Sequence, residues 1–315
     1  MTGKRILWIL VIAALIAALA RLFLLDTYRV ASDAMAEFQV KGDRLLVEKW
    51  SVGARLPQAI KWPFIKDKAK AQWVFSDKVN RLPGLSNIHR EDLLVFNQPQ
   101  TKASDPVNLR PVLLSRCVGL PGDFIRLDGT NLFVNEAPKP RSVDALFCYR
   151  YWPAQNALVE ESLKAAGMNR PLLARNDTGF IFMPQLEYLR LLVAQPILKV
   201  ALKPYATELD NISILVPYRG YTIPLDRRSM ETWQTLINAH EGVTLTEAKD
   251  STWLLNGVAA AQYTFKQDYY VVLNDHQGYM NDSRRFGLVP ASHVIGRASL
   301  LLFSPEKKRL LQRLR

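Results

Sequence analysis

The chain has 315 residues, 49% of them hydrophobic and 22% charged, and a formal net charge of +12. That length and apolar content allow one large folded domain or two ordinary ones and exclude a disordered chain. The basic excess suits nucleic acid or an anionic membrane surface. However, Lys and Arg are scattered apart from the terminal run Lys307-Lys308-Arg309 to Arg315, with no basic stripe or known module, so nucleic acid is not expected as a partner.

Met1 to Arg5 is short and basic, Ile6 to Ala20 is wholly apolar, and Leu22 to Leu25 carries the run past Arg21. Twenty such residues reach about 30 Å as a helix, the thickness of the hydrocarbon core. Arg21 lies one turn from the end, where its guanidinium can snorkel to the head groups. Lys4 and Arg5 stay cytoplasmic under the positive-inside rule, which puts everything after Asp26 on the exported side. Ala18-Leu19-Ala20 has the small-x-small look of a cleavage site. The bulky apolar residues after it fit an uncleaved anchor better than a removed signal.

Beyond the anchor, Lys41-Gly42-Asp43 reads as a turn into a strand over Arg44–Lys49. Residues 50–90 are irregular, with Pro57, Pro63, Pro83 and Gly84. Asp92 to Phe96 is a buried strand ended by Pro99, and Val112 to Val118 is another. Leu120-Pro121-Gly122-Asp123 turns into a hairpin, Phe124–Leu127 and Leu132–Val134, closed by Asp128-Gly129. Ala157–Ala166 and Met230–His240 are expected helices. In the second, Met230, Trp233, Leu236 and Ile237 share a face, Ser229 can cap the start and Gly242 can end it. Tyr263–Leu273 and Val294–Phe303 return to strand.

The pattern predicts a mainly β protein whose β-rich core comes from both ends of the chain, 26–140 and 263–303. An α+β insertion over 141–262, one transmembrane helix over 1–25 and a basic tail over 304–315 complete it. Leu310, Leu311 and Leu314 beside basic residues suggest a short amphipathic helix on anionic lipid, or a solvated tail. Cys117 and Cys148 either pair in an oxidising compartment or remain buried thiols. His89, His240, His276 and His293 show no metal spacing, and no cofactor is expected.

Five segments in order resemble the boxes of bacterial type I signal peptidase, peptidase family S26, with a Bacteroidota flavour in Trp50-Ser51-Val52-Gly53-Ala54-Arg55 and Arg81-Leu82-Pro83-Gly84. The anchor is the first. Ala31-Ser32-Asp33-Ala34-Met35 followed by Lys41-Gly42-Asp43 resembles Ser-x-Ser-Met and Gly-Asp-x-x-x-Val. Arg90–Phe96 with Pro99 resembles the strand opening the next box. Ser115-Arg116-Cys117-Val118-Gly119-Leu120-Pro121-Gly122-Asp123 resembles Lys-Arg-Val-Val-Gly-Leu-Pro-Gly-Asp. Asn274-Asp275-His276 through Asp282-Ser283-Arg284, Gly287, Val289 and Pro290 resembles Gly-Asp-Asn…Ser-x-Asp-Ser-Arg…Gly-x-Val-Pro.

The resemblance implies a serine-type endopeptidase that cuts signal peptides after Ala-x-Ala, with a lysine held neutral by burial as base. It also implies where this chain departs. The nucleophile position is Ala34 and the base position is Ser115. Ser32 matches the oxyanion helper, and the serine supporting the base corresponds to Met280. Gly-Asp-Asn has become Asn274-Asp275-His276, whereas Asp282, Ser283 and Arg284 survive as structural neighbours. Met35, Leu113 and Leu114 fall on the segments that would hold an extended substrate between about 28–34 and 112–116.

Loss of a hydrolase's nucleophile costs on the order of 10⁶ in rate, and loss of the base adds little. The reading is therefore a catalytically inactive paralogue in signal-peptide recognition, single-pass in the bacterial inner membrane with its main domain periplasmic. Its expected partners are signal peptides of exported preproteins, membrane lipid and an active signal peptidase paralogue. An active signal peptidase with relocated residues is the alternative: Ser32 with Lys41 or Lys49, or less plausibly a triad of Asp275, His276 and Ser283. A purely structural envelope protein stands as a third reading.

Overall fold

A computed structural model describes residues 3–35, 39–61, 72–74, 76, 79–99, 105–248, 252–306 and 308–314. Met1, Pro63, Lys307 and Arg315, named above, lie outside them. Helix α1 (Gly3–Phe23) contains 20 residues, Lys4–Phe23, long and apolar enough to cross a membrane and unburied by the rest of the protein. It hands over to β1 (Leu25–Arg29) with no linker: Lys49 N donates to Leu24 O at 2.8 Å and Lys49 Nζ to Arg21 O at 2.9 Å.

β1 opens a sheet with β2 (Arg44–Glu48), β3 (Leu93–Asn97), β4 (Val112–Gly119), β5 (Tyr269–Leu273), β6 (Val289–Pro290), β7 (Val294–Ser304) and β8 (Arg309–Arg313). Among the described residues its order is β1-β2-β7-β3-β4-β5-β6, with β8 added to the free side of β7. Both ends of the chain thus interleave in one sheet. All five residues of β3 are buried, as are all five of β5, consistent with strands covered on both faces. Gly42, at φ +99, makes the turn into β2 that the Lys41-Gly42-Asp43 sequence signals.

The stretch 141–262 divides in two. Strands Leu146–Tyr151, Leu172–Arg175, Thr178–Pro184 and Lys203–Pro204 form a second sheet. One face of it is covered by α2 (Asn156–Ala165), α3 (Gln185–Ala194) and α4 (Leu198–Ala201), around Phe147, Tyr149, Ile181, Met183 and Leu191. The later part joins the rest of the chain. Strand Asn211–Leu215 pairs with the hairpin strand Phe124–Asp128. Trp233 and Ile237 of α5 (Arg227–His240) pack in one core with Val118, Ile125 and Val271.

Three local expectations are corrected. The cap of α5 is Asp226, whose Oδ1 accepts from Ser229 N at 2.7 Å; Ser229 is the third helical residue and offers its N–H. The tail is not a helix: β8 pairs with β7, where β3 has ended and left an open strand edge, and edge pairing outweighs the local leucine spacing. The stretch Tyr263–Leu273 is interrupted, with Gln262–Thr264 pairing elsewhere before β5 begins at Tyr269. Cys117 and Cys148 are free buried thiols.

Candidate functional site

The segment after β1 runs through Val30 to Met35 as bends and turns, so Ser32 and Ala34 do not share the strand face that alternation would give them. It lies across from the start of β4. Ser32, Ala34, Met35, Leu113, Leu114 and Asn274 line one small cavity of about 30 Å3, with Tyr28 and Asn281 also at its wall. That is the share of roughly one water. Ala34, Met35 and Leu114 are buried, and Met35 and Leu114 pack into the core with Val30, Leu45 and Val95.

The pairing of β4 leaves an open edge at this cavity. β3 covers one side of β4 from Val112 to Arg116, whereas β5 covers the other only from Arg116 to Gly119. The next residue, Asn274, turns away: its N–H goes to Asp282 Oδ2 at 2.8 Å and its carbonyl accepts from Arg141 at 2.6 Å. Val112–Leu114 therefore face the segment 30–34 without a strand between them. The Tyr28 hydroxyl crosses the gap and donates to Val112 O at 3.3 Å.

Ser115 is fully buried, and its hydroxyl donates to Asn274 Oδ1 at 2.7 Å. Asn274 Nδ2 donates to Tyr279 O at 2.8 Å, so the carboxamide is held at both ends. The resemblance implies a departure at 274 but assigns it no role. The available signal was the coincidence of two implied departures, at Ser115 and at Asn274, which the fold brings into contact. Met280 lines a different cavity with Phe180, Phe182 and Tyr205, and its neighbour Asn281 reaches the Ala34 cavity.

The surviving residues brace this loop. Arg284 donates to both Asp282 oxygens, to Asp210 Oδ1 at 2.9 Å and to the carbonyls of Gln277 and Tyr279 at 3.0 Å. Ser283 Oγ accepts from Val272 N at 2.9 Å and caps no reacting group. Asp275 is bidentate with Arg116 at 2.6–3.2 Å. His276 N donates to Ala34 O at 2.9 Å, its Nδ1 accepts from Gly278 N, and its ring lies on Phe182. Burial lowers its imidazole to about 4. Asp275, His276 and Ser283 thus have separate partners and form no triad. Lys49 Nζ is held by Asp26 at 2.7 Å, and Lys41 meets the segment Ala31–Met35 through its backbone N–H, which donates to Asp33 Oδ1 at 2.7 Å. Among the described residues no group of His, Cys, Asp and Glu is arranged to hold a metal.

The fold thus joins an interleaved β core, an apolar N-terminal helix long enough to cross a membrane and an open strand edge beside the segment that follows β1. The chain belongs to the signal peptidase family, peptidase S26, whose sequence profile matches residues 3–172 and 215–303. All of α3 and α4, the strand Thr178–Pro184 and all but the first residue of the strand Leu172–Arg175 lie between the two matched stretches. Among solved structures, a signal peptidase I from Enterococcus faecalis V583 is similar at 13% identity over 69% of this chain and 100% of that chain, with a TM-score of 0.28. A likeness that weak carries no argument here. The family and the apolar helix together indicate a membrane-anchored protein in signal-peptide processing.

Proposed function

We propose that this chain is a signal peptidase paralogue that kept the cleft and lost the reaction, engaging signal peptides of exported preproteins without cutting them. The observation that carries this is the Ser115–Asn274 hydrogen bond, which fills the place of the family's basic lysine with a neutral pair. A methyl group at Ala34 has no lone pair to attack a carbonyl, and the Ser115 hydroxyl is no base near neutral pH. Support for residual binding comes from the open edge of β4, because main-chain pairing to an extended peptide needs no nucleophile. The cavity of about 30 Å3 admits only small side chains, as an Ala-x-Ala segment presents. Lys4 and Arg5 before the apolar run support a cytoplasmic N-terminus and a main domain on the outer side of the inner membrane.

The test is incubation of the purified full chain with a preprotein, read by product formation, together with shift mapping of an Ala-x-Ala peptide. No cleavage is expected, with weak peptide contacts at Ser32, Met35 and Leu114. Robust cleavage abolished by Ser32→Ala would mean that the nucleophile had moved. Cleavage that survives Ser32→Ala would overturn the register of the Ala31–Met35 segment as well.

A further inference from the structure

Beside the last turn of α1, a cavity of about 320 Å3 is lined by Leu22, Asp26, Lys49, Arg55, Leu56 and Asn108, among others. That is room for about ten waters. Its position is set by Leu22: the opening lies where the membrane-crossing helix ends and the sheet begins. Leu22 and Leu56 give it an apolar wall at that level.

The polar wall is unbalanced. The Arg55 guanidinium donates to the carbonyls of Ser292 and His293 at 3.0 and 3.3 Å and to Asn97 Oδ1 at 2.6 Å. These acceptors are neutral, and no carboxylate pairs with Arg55 among the described residues. Burial, and after it the like charge of Arg81, lowers its guanidinium to about 9. Lys49 shares Asp26 with Arg21, at 2.7 and 3.4 Å. Of the charged side chains that line the cavity, the single carboxylate of Asp26 therefore stands against two cations, Lys49 and Arg55. At the far wall Asn108 donates through Nδ2 to Ala59 O at 2.6 Å, while its buried Oδ1 has no partner among the described residues. A ligand that completes the site carries an anion for Arg55, a hydrogen-bond donor for Asn108 and an apolar stem toward Leu22.

We propose that this cavity takes the phosphodiester head of a membrane phospholipid, with the phosphate on Arg55 and Lys49 and a headgroup hydroxyl or ammonium on Asn108 Oδ1. A soluble phosphate ester shares the anion chemistry but lacks the stem. The apolar part of a signal peptide shares the stem but brings no anion. The inference is independent of whether the cleft is catalytic.

The test uses the full chain in detergent micelles and follows its unfolding temperature against added ligand. The probes are dihexanoyl phosphatidylglycerol, dihexanoyl phosphatidylethanolamine, sn-glycerol 3-phosphate and inorganic phosphate. A saturable rise is expected with one or both lipids, half-maximal at a concentration about tenfold below that for glycerol phosphate. Asn108→Leu and Arg55→Gln are each expected to raise the half-saturating lipid concentration about tenfold, the loss of one charge-assisted or buried hydrogen bond. Arg55→Gln also loosens the chain at 292–293, so Leu56→Trp serves as the second variant. It fills the cavity from a partly exposed wall and is expected to abolish the lipid response while the unliganded protein stays folded. Glycerol phosphate acting as well as the lipids would overturn the lipid source. An unchanged lipid response in both Asn108→Leu and Leu56→Trp would overturn the site, and saturation by a signal peptide in place of lipid would overturn the ligand.

Discussion

A lysine at position 115 would grow from β4 straight into Asn274, because the Ser115 hydroxyl already meets Asn274 Oδ1 at 2.7 Å at a fully buried position. Ser115→Lys alone is therefore expected to destabilise the fold by on the order of 3 kcal/mol, through overpacking and a buried amine without a partner. Asn274→Gly in that background should return part of the loss, measured as the midpoint of urea unfolding. Full additivity of the two changes would show that the residues do not share the space. Trace cleavage is expected only when Ala34→Ser joins Ser115→Lys and Asn274→Gly, since nucleophile, base and room for the base are all required. At this scale the resemblance singled out Ala34, Ser115 and Asn274 as expected departures. The sequence could not reveal that Ser115 and Asn274 touch, because the contact spans 159 positions and only the β4–β5 pairing brings it about.

Among the elements, those with a strong local signal were legible. The strands β2, β3 and β4, the hairpin after Gly122 and α5 fall where alternation, turn chemistry and helical spacing put them. What the sequence hid was pairing. The tail carries Leu310, Leu311 and Leu314 at helical spacing, and the strand form of β8 depends on the vacant side of β7, a non-local fact. The bends at 31–35 likewise follow from the Asp33 carboxylate accepting Lys41 N and from His276 N reaching Ala34 O. The edge strands of the second sheet, Leu172–Arg175 and Lys203–Pro204, are too short to stand out from a helical context. For α1 the expected orientation follows from Lys4 and Arg5 against an apolar run whose other end carries the single charge of Arg21. A C-terminal reporter should be active only outside the cytoplasm, and carbonate washing should leave the chain in the membrane. A reporter active in the cytoplasm would reverse the assignment of sides.

Across the molecule, three histidines are held neutral by burial. His240 and His276 are lowered to about 4, the first with help from Arg110, and His293 falls well below its ordinary value beside His240, Arg110 and Arg55. The unfolded chain takes up protons on these groups near 6.5, whereas the folded chain does so only toward 4 or lower. Between those values the unfolded state binds more protons, so stability is lost as pH falls through that window. Glu91, raised by desolvation, acts in the opposite direction but is one group against three. The urea midpoint of the full chain in micelles is expected to drop between pH 7 and pH 5, and less so in His240→Gln. A flat profile would mean that the imidazoles reach solvent.

The direct handover from α1 to β1, fixed by Lys49 to Leu24 and Arg21, also sets a height. Ala31 lies six positions beyond Leu25, a reach of at most about 20 Å. Without a hinge at that junction the cleft cannot search the space beyond the head groups. On the proposed function it would work as a gauge at constant elevation. Polypeptides that have left the bilayer would pass above it, and the ones it would inspect are those still tethered in the lipid by an apolar segment of their own.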